Sequence, residues 1–251
     1  MAQLVIFDKD GVLFDTEPGK TLSYWLALTD AILGIELQLR DGGWDRESYI
    51  KWHTQTLTGK GRVEVVQRIL DNFPEVAKAI DRQMGPLLEQ LNHSGEEVAK
   101  ELFSNKFPRG EERVFSALRL RCYNAVPISE RCIPIASPIA RMISFANDLV
   151  QHWNPLALIT ESELSRTKEE LKFYGGMFAQ GGIFNLIACK DGIIDRSGEK
   201  VAQGSTKDEM YRTILKIMKV RPEDCLAIED TDKGREQARK AGIACLQVFF
   251  P

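Results

Sequence analysis

Leu4-Val5-Ile6-Phe7-Asp8-Lys9-Asp10-Gly11-Val12-Leu13-Phe14-Asp15-Thr16-Glu17 is the stretch that decides the fold. Its first four residues form an unbroken apolar run, the pattern of a strand buried on both faces, as in parallel α/β sheets. Asp8 stands where that strand ends. Working outward, four more runs read as strands: Leu156 to Thr160, Phe184 to Cys189, Cys225 to Ile228 and Ile243 to Val248. Helices are expected between them. Ser137 and Pro138 suit the cap and first position of a helix whose Ile139, Met142, Ile143, Ala146 and Val150 share a face. Ser162 to Tyr174 is stopped by Gly175 and Gly176; Lys207 to Met218 and Asp232 to Ala241 follow, the last ended by Gly242. Strands separated by such helices imply right-handed crossovers and a doubly wound parallel sheet, an α/β fold of Rossmann-like type.

The region between Gly34 and about Pro134 shows helical periods and no convincing strand. Thr21 to Leu33 places Tyr24, Trp25, Leu28 and Ile32 on one face before Gly34; Asp45 to Leu57, Arg62 to Leu70 and Glu111 to Tyr123 repeat the pattern. Ser94 and Glu97 have capping-box spacing for a helix through Phe103. An all-helical cap inserted in the sheet domain is therefore expected, with residues 1–16 and 136–251 as the α/β core and 17–135 as the cap. Trp25, Trp44 and Trp52 read as cap core, and His53, His93 and His152 as surface or structural residues.

Bulk properties bound the function. A chain of 251 residues is long enough for one large α/β unit and a smaller insert. Lys and Arg number 33 against 36 Asp and Glu, and a net charge of -3 gives no broad cationic field for nucleic acid or an anionic membrane. A small-molecule partner is expected. The five cysteines, Cys122, Cys132, Cys189, Cys225 and Cys245, lie far apart without a C-x-x-C pair, which argues against a disulfide framework or a zinc site and for reduced thiols in a cytoplasm. Neither a leader segment nor an apolar run of the ~20 residues needed to cross a bilayer is evident.

Open sheets of this kind bind ligands beyond the carboxyl ends of their strands. The first strand delivers Asp8 and Asp10 there, the second Thr160, the fourth Glu229 and Asp230, while Lys207 opens the helix ahead of the fourth. Carboxylates, a hydroxyl and an ammonium would converge on one crevice.

The segment Asp8-Lys9-Asp10-Gly11-Val12-Leu13-Phe14-Asp15-Thr16 resembles the haloacid dehalogenase superfamily, whose phosphatases begin with Asp-x-Asp-Gly-[Thr/Val]-Leu-x-Asp-[Ser/Thr]. Leu158-Ile159-Thr160 resembles its second motif. Leu226-Ala227-Ile228-Glu229-Asp230-Thr231, with Gly234 and Ala238, resembles the fourth. Order and strand placement agree over essentially the whole chain, in the branch of β-phosphoglucomutase and phosphoglycolate phosphatase with a helical cap. Two departures stand out: the usual Lys-Pro-x-Pro is replaced by Ser205-Thr206-Lys207-Asp208, and 150 residues separate Asp10 from Thr160.

The chemistry can be argued from the residues. A carboxylate attacking phosphorus splits hydrolysis into two easier steps, and a second carboxyl can protonate the leaving oxygen and later activate water. Asp8 is the candidate nucleophile and Asp10 the acid and base. Gly11 permits the chain to turn just after this pair. A phosphate monoester adds a charge of roughly -1.5 to -2 to these carboxylates. Like charges about 4 Å apart repel by roughly 4 kcal/mol at an effective dielectric near 20, so a cation is needed. Mg²⁺ fits, with Asp8, Asp230 and Glu229 as side-chain anchors, and the resemblance adds the backbone carbonyl of Asp10. Thr160 and Lys207 would hold the phosphoryl group, Lys200 being the alternative lysine. Gly59-Lys60-Gly61-Arg62 is similar to the cap loop that contacts substrate in related sugar-phosphate enzymes, which makes Arg62 a candidate binding residue. The expected activity is a Mg²⁺-dependent phosphatase for a small phosphate ester. A phosphosugar mutase is the rival, although such mutases carry a His where this chain has Lys20; a silent binding protein of the same fold is the other.

Overall fold

The computed structural model describes residues 2–58, 60–134, 155–173 and 183–248. They divide into two compact units, Met1–Thr16 with Cys132–Pro251, and Glu17–Arg131. The second boundary comes earlier than position 135 because Ile133 pairs with Asp15 in a small antiparallel ladder and so belongs with the sheet unit.

In the first unit the strands are β1 (Leu4–Asp8), β2 (Phe14–Asp15), β3 (Ile133–Pro134), β4 (Leu156–Ile159), β5 (Leu186–Cys189), β6 (Gly192–Asp195), β7 (Lys200–Ala202), β8 (Cys225–Glu229) and β9 (Ala244–Gln247). Seven of them form one sheet in the order β7-β6-β5-β4-β1-β8-β9. The five expected strands are all present and pair in parallel, β1 lying between β4 and β8. Every residue of β1 and β4 is buried, which is why both read as unbroken apolar runs.

Two features depart from the sequence expectation. β6 and β7 extend the sheet with an antiparallel edge; β7 has three residues with none buried, and β6 offers only two consecutive apolar side chains between Gly192 and Asp195, so neither registers as an apolar run. Their loop is built by Asp195, whose Oδ1 accepts from Ser197 N at 2.9 Å and Glu199 N at 3.1 Å. The ladder of β2 with β3 also places a two-residue strand at Ile133, inside the stretch expected to hold none.

The second unit holds helices α1 (Glu17–Leu28), α2 (Glu36–Asp41), α3 (Arg46–Thr56), α4 (Arg62–Asn72), α5 (Pro74–Arg82), α6 (Met84–Asn92), α7 (Glu96–Leu102), α8 (Gly110–Ala125) and α9 (Ile128–Arg131). Asp45 caps α3 through Ser48 N at 2.8 Å, and Ser48 Oγ accepts from Asp45 N in return. The expected box at Ser94 and Glu97 does not form: Gly95 is the cap of α7, and Ser94 Oγ donates instead to Gln90 O at 2.7 Å. Tyr49, fully buried, sits among Trp25, Trp52 and Phe73, while Trp44 packs edge-on against Trp52 and Phe73, so the tryptophans are core here.

The sheet unit is completed by α10 (Leu164–Phe173), α11 (Lys207–Met218) and α12 (Asp232–Lys240). Met210, Tyr211, Ile214 and Leu215 of α11 join Leu4, Ile6, Ala157, Ile159 and Ala188 in one apolar core. Those α11 positions follow the 3.6-residue period and the β1 positions the two-residue period, so both elements turn one face inward. The helix expected from Ser137, and Gly175 and Gly176, lie outside the described residues. Among the described residues no helix is long and apolar enough to cross a membrane. All five cysteines are free thiols.

Candidate active site

Parallel register aligns the carboxyl ends of three strands. Asp8 pairs with Ile159 and Phe7 with Ile228, so Asp8, Thr160 and Glu229 emerge at one edge of the sheet. Beyond Asp8 the chain turns. Lys9 O accepts from Leu13 N and Phe14 N, both at 3.0 Å, Gly11 N donates to Phe14 O at 2.7 Å, and Gly11 adopts a φ of 81°. This left-handed backbone suits glycine. It folds Asp10 back so that its Oδ2 accepts from Thr160 Oγ1 at 3.0 Å and Ser162 Oγ at 3.3 Å.

Lys207, at the start of α11 and 5 % exposed, lies between two carboxylates. Its Nζ is 2.8 Å from Asp8 Oδ1 and 2.9 Å from Glu229 Oε1, and it also donates to Glu229 Oε2 at 3.0 Å. Tyr211, one turn further on the same helix face, donates to Glu229 Oε1. Burial works against the Lys207 charge, but Asp8 and Glu229 hold the ammonium above its ordinary pKa. Burial pushes the Asp8 carboxyl well above the usual carboxylate range; Lys207 opposes this, while Glu229 and Asp10 add to it. One lysine does not balance the acids around it.

Ligand oxygens of Asp8, Glu229 and Asp230 lie within 4.8 Å of one another. Gly11 makes room for this: a Cβ at that position would stand 1.9 Å from Asp230 Oδ2. Gly234 does the same for Glu229, whose Oε2 would lie 2.0 Å from an added Cβ. Hard oxygen donors converging on a shared point suit a divalent cation such as Mg²⁺. Among the three, Glu229 has both oxygens occupied by Lys207 and Tyr211, which leaves Asp8 and Asp230 as the better side-chain anchors.

Six sequence-predicted residues, Asp8, Asp10, Thr160, Lys207, Glu229 and Asp230, are thus brought to one edge of the sheet. Lys200 is not: it lies on the edge strand β7 and donates to Asp191 O at 2.9 Å. Arg62 belongs to the helical unit, where its Nη1 lies 2.9 Å from Glu101 Oε1 and its side chain stays 43 % exposed. Thr160 does not cap a helix; its Oγ1 accepts from Ser162 N at 3.1 Å while donating to Asp10. Thr231 caps α12, its hydroxyl accepting from Gly234 N.

The sequence reading missed Lys9, Ser162, Glu170 and Tyr211. Lys9 is 1 % exposed, lies 3.3 Å from Asp10 Oδ1 and pairs with the fully buried Glu170 of α10. A lysine directly after a fully buried strand was the available signal, since a charge buried there needs a partner. Tyr211 could have been found from its four-residue spacing to Lys207. Nothing local pointed to Glu170.

The sequence profile of the haloacid dehalogenase-like hydrolases matches residues 2–242. The protein CbbY of Cereibacter sphaeroides is 26 % identical over 246 residues, covering 98 % of this chain and 84 % of that protein. The crystal structure of CbbY from Rhodobacter sphaeroides in complex with phosphate superposes with a TM-score of 0.51 at 20 % identity, over 100 % of this chain and 88 % of that one. A mutant of CbbY in complex with xylulose-(1,5)bisphosphate gives the same score, identity and coverage. A haloacid dehalogenase-like family protein of Streptococcus pneumoniae reaches 0.51 at 14 % identity, over 97 % of this chain and 83 % of its own.

Proposed function

Because the chain belongs to the haloacid dehalogenase-like hydrolases, we propose that it is a Mg²⁺-dependent phosphatase that hydrolyses a small organic phosphate monoester through an aspartyl-phosphate on Asp8. The observation that carries this reading is the buried contact of Lys207 with Asp8, 2.8 Å apart, beside the oxygens of Asp230 and Glu229. Asp8 Oδ attacks phosphorus as the bond to the ester oxygen breaks. Asp10 gives its proton to that leaving oxygen. Asp10 then takes a proton from water, whose oxygen attacks phosphorus, and the bond to Asp8 breaks to release inorganic phosphate. Lys207 offsets charge on the phosphoryl oxygens, and Thr160 turns its hydroxyl from Asp10 toward one of them.

Asp8 and Asp230 would hold the metal by their side chains and Asp10 by its backbone carbonyl, with Glu229 keeping Lys207 in place. When bound, the cation neutralises charge on the phosphoryl group and its carboxylate neighbours. The charge balance supports this: Lys207 is shared by Asp8 and Glu229, Asp230 adds a third carboxylate beside them, and burial has already raised Asp8. The substrate class is a sugar phosphate or a phosphoglycolate-like ester, in line with the sugar bisphosphate bound to the CbbY mutant. Isomerisation gains no support, since Lys20 stands where the mutases carry His and its Nζ is engaged by Glu17 Oε1 at 2.6 Å.

The test is phosphate release from a panel of phosphorylated metabolites with Mg²⁺, with Asp8→Asn as the blank and a chelator arm. Release is expected from the unmodified protein with metal, and none from the variant or the chelated enzyme. Unchanged turnover in either control overturns the mechanism.

A further inference from the structure

The buried pair Lys9–Glu170 has no part in the mechanism above. Lys9 is 1 % exposed and Glu170 fully buried, so both charges have lost their water. Burying an ion pair costs desolvation that apolar residues of similar size would avoid, so its presence calls for a reason beyond stability. Geometry supplies one. Lys9 directly follows the last residue of β1, and its Nζ lies 3.3 Å from Asp10 Oδ1. The opposite oxygen, Oδ2, is taken by Thr160 and Ser162 at 3.0 and 3.3 Å. Burial alone would lower the Lys9 pKa, but Asp10 and Glu170 keep the ammonium above its ordinary value.

We infer that Lys9, anchored by Glu170, is a positioning residue that fixes the orientation of the Asp10 carboxyl. Lys9 holds one Asp10 oxygen while the Thr160 and Ser162 hydroxyls hold the other. When the phosphoryl group draws Thr160 away, the buried ion pair to Lys9 remains beside the longer Ser162 contact and keeps Asp10 aimed. Glu170 anchors the lysine and cancels its charge, so the pair orients Asp10 without adding net charge. The functional consequence rests on the phosphatase reading; the orientation itself does not.

The primary variant is Lys9→Met/Glu170→Met, because Lys9→Met alone would strand the Glu170 carboxylate in the interior. A thermal melt first establishes that the double variant folds. Protonation of the leaving oxygen matters for a poor leaving group and little for a good one, so kcat/KM is compared on an alkyl phosphate and on p-nitrophenyl phosphate. The expected result is a loss of roughly 10- to 100-fold on the alkyl ester, with p-nitrophenyl phosphate within about threefold of the parent protein. Equal factors on the two esters, or no change on either, would overturn the inference. A crystal structure of the variant answers independently of turnover: Asp10 in a different or split rotamer supports the role, and the same single rotamer on Thr160 and Ser162 refutes it. If the parent protein releases no phosphate from any ester, the phosphatase reading falls and the rotamer result still decides the positioning role.

Discussion

Lys207 Nζ lies 2.8 Å from Asp8 Oδ1 and 2.9 Å from Glu229 Oε1, so one buried cation is shared by two buried carboxylates from neighbouring strands. Lys207→Met would leave both acids without their cation. Turnover is expected to drop by roughly 10²- to 10³-fold, and unfolding free energy by about 3–5 kcal/mol, the range for breaking a buried pair. Urea melts and kcat report the two effects separately, and a variant as stable and as active as the parent would remove Lys207 from the site.

Gly11 is required twice, for its φ of 81° and for the space that Asp230 occupies 1.9 Å from where a Cβ would stand. Gly11→Ala should therefore displace the Asp230 carboxylate as well as strain the turn by about 1–2 kcal/mol. Titration calorimetry with Mg²⁺ is expected to show affinity weakened at least about tenfold while circular dichroism stays native. Unaltered affinity would mean that Asp230 does not anchor the ion.

Arg62 keeps much of its side chain in solvent although Glu101 fixes one guanidinium nitrogen at 2.9 Å. If it binds substrate, as the resemblance of its loop implies, Arg62→Ala should raise KM by roughly tenfold with kcat nearly unchanged, the signature of lost uniform binding. A drop confined to kcat would argue for another role.

His53 provides a pH test within the helical unit. Its Nδ1 lies 3.1 Å from Thr21 Oγ1. Burial lowers its pKa to about 4, with Arg119 assisting and Glu17 opposing. The unfolded chain thus takes up a proton near pH 6.5 that the folded chain refuses until about 4. This contribution is complete above pH 6.5, declines as pH falls through the window and stops changing below about 4, a span of up to about 3 kcal/mol. Denaturant melts of His53→Gln should show a flatter dependence of stability on pH between those limits; a slope equal to the parent's would refute the assignment.

How much of this was legible beforehand depended on the range of the interactions. Leu4 to Phe7 and Leu156 to Ile159 announced themselves because a strand buried on both faces must be apolar throughout. The Asp8 to Asp10 segment and Glu229-Asp230 were legible because strand ends are where open sheets bind ligands. Strands β6 and β7 were not: β7 has three residues with none buried, and β6 offers only two consecutive apolar side chains between Gly192 and Asp195. Ser94 looked like a cap by its spacing, but its hydroxyl found the Gln90 carbonyl instead, a competition that sequence spacing does not reveal.

By itself the sequence determined the α/β plan, the helical insert and the set of acids, hydroxyl and lysine from which a phosphate site could be built, since those follow from local periodicity and from motifs at strand ends. Only the tertiary structure decided the pairings: Lys207 rather than Lys200 beside Asp8, Tyr211 on Glu229, and Lys9 between Asp10 and Glu170. The physical reason is that a buried charge must be matched by whichever partner the packing brings within about 3–4 Å, and Lys9 and Glu170, 161 positions apart in the chain, carry no local signal of each other.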